Sequence, residues 1–101
     1  IYIDDVVEAN ILAAKKAIDR QGVGVFNCGT GQARSFNDIA ECIKAKLDGQ
    51  YHGKIEWIDN PYEAQYQSFT EADMTNFTEH IGEIKFTTLE EGIGKYIDAK
   101  R

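Results

Sequence analysis

The sequence predicts an α/β fold, and three kinds of observation support this prediction. Capping patterns mark the starts of four amphipathic helices, short apolar runs between them are typical of strands, and turn residues separate the two. Helices that alternate with short apolar strands indicate a parallel sheet covered by helices. At 101 residues the chain is long enough for a single domain, spanning residues 1–101, with a modest core.

Each predicted helix begins at a capping residue that is followed three positions later by an acid. In such a capping box the first side chain accepts a hydrogen bond from a free backbone N–H, and the acid accepts one from the capping residue's own N–H. The pairs are Asp5/Glu8, Ser35/Asp38, Thr70/Asp73 and Thr88/Glu91. Apolar residues at helical spacing predict four buried stripes, which are Val7, Ile11, Ala14 and Ile18; Phe36, Ile39, Ile43 and Leu47; Met74, Phe77 and Ile81; and Leu89, Ile93, Tyr96 and Ile97.

Three short runs are predicted to be strands. Residues 1–3 are Ile-Tyr-Ile, and residues 23–27 are largely apolar between glycines, as in a buried parallel strand. Residues 54–58 begin with alternating polar and apolar side chains and are followed by Asn60-Pro61. Because the chain has no initial methionine and starts inside a predicted strand, we expect it to be part of a longer protein.

The composition excludes several function classes. With 11 basic against 17 acidic residues, the net charge of −6 disfavours binding to nucleic acid or to an anionic membrane. No apolar run approaches the roughly 20 residues of a membrane span, and no secretory signal is present, so we expect a cytoplasmic protein. Cys28 and Cys42 are too few for a disulfide scaffold and fit no metal motif, so we expect reduced, buried thiols.

Gly29-Thr30-Gly31 follows a predicted strand and leads into the helix that starts at Ser35. Its position is that of a dinucleotide-binding turn, in which glycines let the backbone approach a pyrophosphate. The third glycine of that fingerprint is replaced by Arg34. We therefore interpret the turn as structural and Arg34 as solvated, with a phosphate contact by Arg34 left open.

The remaining candidates for catalytic or metal-binding groups are not assigned a function. Tyr96 and Lys100 have the Tyr-x-x-x-Lys spacing of short-chain dehydrogenases, but they lie at the end of the last helix, and we reject them as catalysts. His52 and His80 have no metal-ligand spacing. No catalytic residue, cofactor-binding residue or metal ligand is assigned in this chain.

Tyr66 is the strongest candidate for a ligand contact. It lies in an irregular, aromatic stretch with Tyr62 and Phe69, and binding residues favour such loops. Its ring can stack and its hydroxyl can donate to a phosphate or sugar oxygen. Gln67, its neighbour, is a second and weaker candidate.

Four segments carry a resemblance to one enzyme family. Residues 66–76, Tyr-Gln-Ser-Phe-Thr-Glu-Ala-Asp-Met-Thr-Asn, resemble a signature of the ADP-L-glycero-D-manno-heptose 6-epimerases, which are extended short-chain dehydrogenase/reductases. Residues 1–6, the Phe-Asn-Cys-Gly-Thr-Gly of residues 26–31, and residues 86–92 resemble further segments of that group. Ala64-Gln65 stand where the family has Gly-Arg, so the role of that Arg does not carry over.

The resemblance implies a specific part of an enzyme. The chain would be the C-terminal substrate-binding lobe, including a strand and helix that complete the Rossmann sheet of an NADP-binding N-terminal domain absent here. The family oxidises the C6 carbinol of ADP-heptose with NADP and reduces it again on the other face, in lipopolysaccharide precursor synthesis. Tyr66 is the substrate contact that carries over by position. The catalytic tyrosine and lysine and the cofactor site belong to the absent domain, so this chain alone would be inactive and bind no NADP.

The implied partners are the absent N-terminal domain, the ADP-heptose substrate and further copies in a homo-oligomer. Two alternatives remain open. The chain could be the C-terminal lobe of another nucleotide-sugar epimerase or dehydratase. It could also be a non-catalytic module that binds a nucleotide sugar, which would explain Gly29–Gly31 and Tyr66 without further residues.

Overall fold

The computed structural model describes residues 1–20, 24–50 and 52–100, with the side chains of residues 18–20 left undescribed. Four α-helices occur in this part of the chain: α1 (Ile3–Arg20), α2 (Phe36–Lys46), α3 (Thr75–His80) and α4 (Leu89–Lys100). A single 3₁₀ turn, Glu63–Gln65, precedes Tyr66. Helices α2 and α4 pack against each other.

The predicted α/β class is wrong, because residues 1–20, 24–50 and 52–100 contain no strand. The chain therefore does not contain the strand-and-helix unit of a Rossmann sheet. Residues 24–27 and 54–58 are irregular, and Val25 and Ile58 are 93% and 88% exposed. Val23 lies outside the described residues. An extended run becomes a strand only when a neighbouring strand pairs with its N–H and C=O groups, and these runs have no such neighbour in the described structure.

Two of the four predicted helix starts are confirmed in detail. The Ser35 hydroxyl accepts from the Asp38 N–H at 3.1 Å, and the Asp38 carboxylate accepts from the Ser35 N–H at 2.8 Å. Thr88 and Glu91 make the same reciprocal pair, with both distances 3.2 Å. These capping boxes position α2 and α4.

The predicted cap at Asp5 is wrong, because α1 already begins at Ile3. Asp5 is instead buried, and its carboxylate accepts hydrogen bonds from the Thr87 N–H and the Thr87 hydroxyl, both at 2.8 Å. Asp5 thus connects the first turn of α1 to the residues that precede α4.

The predicted cap at Thr70 is also wrong, because α3 begins at Thr75. The Asp73 carboxylate accepts from the Thr75 N–H at 3.0 Å, and the Thr70 hydroxyl donates to the Gln67 side-chain oxygen at 3.0 Å. Met74, which makes no side-chain capping bond, directly precedes α3, and Asp73 binds the first N–H group of the helix from one position earlier.

The core is small and lies between α1 and α3. It consists of Ala9, Phe77 and Ile81, against which five partly buried residues pack: Leu12, Ala13, Phe26, Met74 and Ile84. The predicted stripe of α3 is therefore confirmed. That of α1 is wrong, because Val7 and Ile11 are half exposed and Ala14 is exposed, while the Ile18 side chain lies outside the described part.

The molecule is a single layer measuring 54 × 38 × 16 Å. Its radius of gyration is 17.3 Å, against about 13 Å for a compact domain of this length. It exposes 8450 Å², about 2,700 Å² more than a compact monomer of its size. Val7, Ile11 and Val25 are among its exposed apolar side chains. In the described residues no helix combines the length and the apolar character that crossing a membrane requires.

Candidate functional site

Two segments that carry the family resemblance contact each other. The turn at residues 27–33, called the glycine turn below, lies against residues 71–74. These belong to residues 66–76, called the signature run. The Gly29 N–H donates to the Met74 sulfur at 3.3 Å, and the Ala33 N–H donates to the Glu71 carboxylate at 2.9 Å. The Asn27 side-chain amide donates to the Asp73 carbonyl at 3.4 Å. The two segments therefore form one surface although about 40 residues separate them.

Glycine is required at two positions of this turn for different reasons. A Cβ on Gly29 would lie 2.7 Å from the Ala72 Cβ, so only glycine permits this close approach. Gly31 has φ +67°, a left-handed conformation that glycine adopts at least cost. Both glycines are accounted for by packing and backbone conformation, which supports the structural interpretation of the turn.

An aromatic patch, formed by Phe36 and Tyr66, lies beside this turn. The two ring centroids are 6.4 Å apart with planes tilted by 49°, and the side chains are 72% and 55% exposed. Phe36 was predicted to lie in the buried stripe of α2, and that prediction is wrong. The sequence did not predict that Phe36 belongs to the site. One signal was available: Phe36 directly follows the Ser35 cap, which puts it in the first turn of α2, next to the glycine turn.

The two predicted substrate contacts are both exposed. Tyr66 follows the 3₁₀ turn, which its backbone N–H closes by donating to the Glu63 carbonyl at 3.5 Å. The Gln67 side-chain oxygen accepts a hydrogen bond from the Thr70 hydroxyl at 3.0 Å. Ala64 and Gln65, which replace the family's Gly-Arg, lie in the 3₁₀ turn itself.

A shallow depression of about 720 Å³ lies where the two segments meet, lined by residues that include Gly31, Phe69, Glu71 and Asp73. Its ionisable groups are acidic. The hydrogen bond from the Thr75 N–H lowers the pKa of Asp73. Carboxylates accept hydrogen bonds from hydroxyl groups and repel phosphates, so this depression suits a ligand group rich in hydroxyls better than a phosphate.

Arg34 is engaged in ion pairs that connect α2 to α4. Its guanidinium lies 2.7 Å from a Glu90 oxygen and 3.3 Å from an Asp38 oxygen. These bonds, first to Glu90 and then to Asp38, raise the pKa of Arg34, and the guanidinium lowers the pKa of Glu90. A phosphate would have to displace two carboxylates to bind Arg34, so its role in this structure is structural.

The turn does not fit the pyrophosphate of NADP. A dinucleotide-binding turn presents free N–H groups at a helix N-terminus. Here the Gly29 N–H is bonded to Met74, the Ala33 N–H to Glu71 and the Ser35 N–H to Asp38. No step of a reaction is assigned to NADP in this chain.

A second groove, which is mainly apolar and has a volume of about 540 Å³, lies between the start of the chain and α4, with Tyr2, Ile43, Phe86, Ile93 and Tyr96 among its lining residues. The Lys100 ammonium lies 5.7 Å from the centre of the Tyr96 ring, over its face. This is a cation–π contact at an exposed tyrosine, so Tyr96 does not belong to a buried stripe as predicted.

The histidines and cysteines form no further site in the described part of the chain. The His80 Nδ1 lies 3.0 Å from the Asn76 carbonyl oxygen, which can only accept a hydrogen bond, and the centre of the His80 ring lies 6.0 Å from that of Phe26. No cluster of three potential ligands that could hold a metal ion occurs among the described residues. Cys28 and Cys42 are free, but Cys28 is exposed and Cys42 is only partly buried, so the prediction of two buried thiols is wrong for Cys28 and only partly met by Cys42.

The chain matches no model of a known protein family.

Proposed function

We propose that this chain is the substrate-binding C-terminal part of an NADP-dependent epimerase that inverts C6 of the heptose in ADP-glycero-manno-heptose. The observation that carries the proposal is the contact between the glycine turn and the signature run. The sequence of each segment resembles the family independently of the other. In the structure Gly29 and Ala72 approach each other so closely that a larger side chain at position 29 would not fit. Two motifs of one family that interlock in this way support a common origin.

Within this proposal the residues divide into two groups. Phe36 and Tyr66 offer exposed aromatic faces for a base or for the apolar face of a sugar. Glu71 and Asp73 offer carboxylate oxygens to sugar hydroxyls. Gly29, Ala72 and Met74 hold the two segments together. Substrate binding is thus assigned to the aromatic patch and the acidic depression.

The chemistry of the reaction is assigned to residues outside this chain. Oxidation and re-reduction at C6 require a nicotinamide, a tyrosine and a lysine placed at the reacting carbon, and the chain alone is inactive. In the proposal those groups belong to an N-terminal domain that joins this chain in a cytoplasmic enzyme.

The proposal is tested by titrating the purified chain with ADP-heptose, followed by NMR chemical-shift changes. We expect weak binding that Tyr66→Ala and Phe36→Ala each reduce by about three- to tenfold, the free energy of one aromatic contact. Tyr62→Ala is the matched control, because Tyr62 is similarly exposed in the same segment and is not part of the patch. NADP should cause no comparable change.

The outcomes separate the alternatives. Equal affinity for UDP-hexoses and ADP-heptose would indicate another nucleotide-sugar epimerase or dehydratase. Tight NADP binding by this chain, or nucleotide-sugar binding that is insensitive to Tyr66 and Phe36, would contradict the proposal. The chain joined to the N-terminal domain is also assayed for epimerase activity. Activity would indicate that the chain is part of an enzyme, and its absence would indicate a non-catalytic module.

A further inference from the structure

We propose that Glu90, in the first turn of α4, is a positioning residue for the aromatic patch of Phe36 and Tyr66. Glu90 holds the start of α2 in place through Arg34, and the start of α2 carries the Phe36 ring. The inference rests on the proposed function only for the ligand that the patch binds, because the placement of the two rings can be measured without a ligand.

The position of the Phe36 ring depends on the backbone that carries it. Phe36 is the first residue of α2, and most of its side chain is exposed. Its ring is paired with that of Tyr66, which lies 30 positions further along the chain. In a helix the backbone determines the direction in which a side chain leaves it. Whatever fixes the start of α2 therefore also fixes where Phe36 meets Tyr66.

The bonds within residues 34–38 give the start of α2 its shape. One Asp38 carboxylate oxygen accepts from the Ser35 N–H at 2.8 Å and from the Arg34 Nε–H at 3.3 Å. The Ser35 hydroxyl accepts from the Asp38 N–H at 3.1 Å. All three bonds join residues of one short segment, so they close the first turn of α2 without attaching it to another part of the molecule.

Two carboxylates from distant segments supply that attachment. Glu71 of the signature run accepts from the Ala33 N–H at 2.9 Å. Glu90 accepts from the Arg34 guanidinium through both of its oxygens, at 2.7 Å and 3.5 Å, and such a forked pair restricts the orientation of the two groups. Because Glu71 is also assigned to sugar hydroxyls, Glu90 is the contact whose removal tests position alone.

Glu90 is well suited to this role because its own helix turn is anchored. The capping box of Thr88 and Glu91 begins α4 on either side of it. The buried Asp5 carboxylate binds Thr87 directly before that box. An ion pair between partly exposed side chains contributes little to stability, so we assign the Glu90 contact to the orientation of α2 and of Phe36.

The first test is NMR of the chain without ligand, with nuclear Overhauser effects (NOEs) between the Phe36 and Tyr66 rings as the readout. Glu90→Ala should reduce these NOEs by more than half. Glu90→Gln keeps an acceptor oxygen at the same reach for Arg34 and should retain them. Circular dichroism of each variant checks that the helices remain.

Asp98→Ala is the matched control. It removes the other ion pair between α2 and α4, in which the Lys46 ammonium lies 3.0 Å from an Asp98 oxygen. Lys46 is the last residue of α2 and lies about 15 Å along the helix from Phe36. Asp98→Ala should therefore leave the ring NOEs unchanged, although it breaks the same kind of contact between the same helices.

The second test is titration with ADP-heptose in two backgrounds. Glu90→Ala should weaken binding about threefold in the wild type and cause no further loss in Phe36→Ala, because a residue that acts through Phe36 has no effect once that ring is gone. A role in stability alone would weaken binding equally in both backgrounds.

Three results would overturn the proposal: ring NOEs that persist in Glu90→Ala, an equal loss of NOEs in Asp98→Ala, or additive effects of Glu90→Ala and Phe36→Ala on binding. If no variant binds ADP-heptose, the proposed function fails, and the NOEs of the free chain still decide whether Glu90 positions the patch.

Discussion

The Asp5 carboxylate accepts two hydrogen bonds from Thr87, a residue 82 positions further along the chain, through its backbone N–H and its hydroxyl. This connection joins the first turn of α1 to the start of α4 and is one of the few buried polar contacts in the structure. In a chain with a very small apolar core, such a contact contributes a large share of the tertiary stability.

Replacing Asp5 by Ala should lower the free energy of unfolding by about 2–3 kcal/mol, because two hydrogen bonds to a charged group are lost and the Thr87 donors lose their acceptor. Urea unfolding followed by circular dichroism measures the change. Asp4→Ala removes the same side chain at an exposed neighbouring position and should change stability by less than about 0.5 kcal/mol. Equal effects of the two substitutions would contradict the assigned role of Asp5.

Replacing Gly29 by Ala should separate the glycine turn from the signature run. The new Cβ would lie 2.7 Å from that of Ala72, and such overpacking costs about 1–3 kcal/mol. Adding Ala72→Gly should recover part of this loss, which a double-mutant cycle in urea measures as a coupling energy.

Gly49→Ala is the comparison for this pair. Gly49 has φ +73° and open space around it, so alanine there causes backbone strain without a steric clash. We expect destabilisation of about 1 kcal/mol and no coupling to Ala72→Gly. Coupling of Ala72 to Gly49 rather than to Gly29 would show that the two segments do not interlock as described.

Thr88→Ala and Thr70→Ala should differ, although both threonines precede an acid by three residues. Thr88 caps α4 through its hydroxyl, and its loss should cost about 1 kcal/mol. Thr70 caps no helix and bonds only to exposed Gln67, so its loss should cost less than about 0.5 kcal/mol. Thermal unfolding of both variants tests the difference, and a larger effect at Thr70 would favour the helix start that the sequence suggested.

Stability should fall in acid because two carboxyl groups around Arg34 have lowered pKa values. The Ser35 N–H is the main cause for Asp38, and the Arg34 guanidinium is the main cause for Glu90. A carboxyl whose pKa is lower in the folded state stabilises the fold above its unfolded pKa, and this contribution is lost as pH falls through the folded value. With ordinary values of 3.8 and 4.5, the decline should begin as pH drops below about 4.5.

Arg34→Met should flatten this acid dependence, because the pKa of Glu90 then returns toward its ordinary value. Urea midpoints at pH 7 and pH 3 give the comparison. Lys54→Met removes a positive charge that is exposed and distant from Glu90, and it should leave the acid dependence of the wild type intact. If the loss in free energy of unfolding between pH 7 and pH 3 is the same for Arg34→Met, Lys54→Met and the wild type, then Arg34 is not what lowers the pKa of Glu90.

Local patterns in the sequence predicted local structure well. The boxes at Ser35/Asp38 and Thr88/Glu91 join residues three positions apart, so everything that they need is present in one short segment. The apolar stripe of α3 was also correct, because Phe77 and Ile81 lie on one helix face by spacing alone.

Features that depend on distant partners were not predicted. Asp5 occurs in the sequence pattern of a helix cap, but its carboxylate accepts a hydrogen bond from Thr87, which lies far along the chain. Phe36 has the spacing of a core residue, yet it lies beside Tyr66 on the surface. The runs at 24–27 and 54–58 have the composition of strands, but composition cannot supply the neighbouring strand that pairing requires.

The single-layer shape has a consequence for how this protein can change over evolutionary time. In an ordinary domain the buried interior changes slowly and the surface drifts freely. Among the residues that the structure describes, only Ala9, Phe77 and Ile81 form a buried apolar core, while Val7, Ile11 and Val25 are exposed to solvent. If those outer positions are held by contacts with other polypeptide, they should accept substitutions as rarely as core residues do, and a comparison of orthologous sequences would show slow drift on the outside of the molecule.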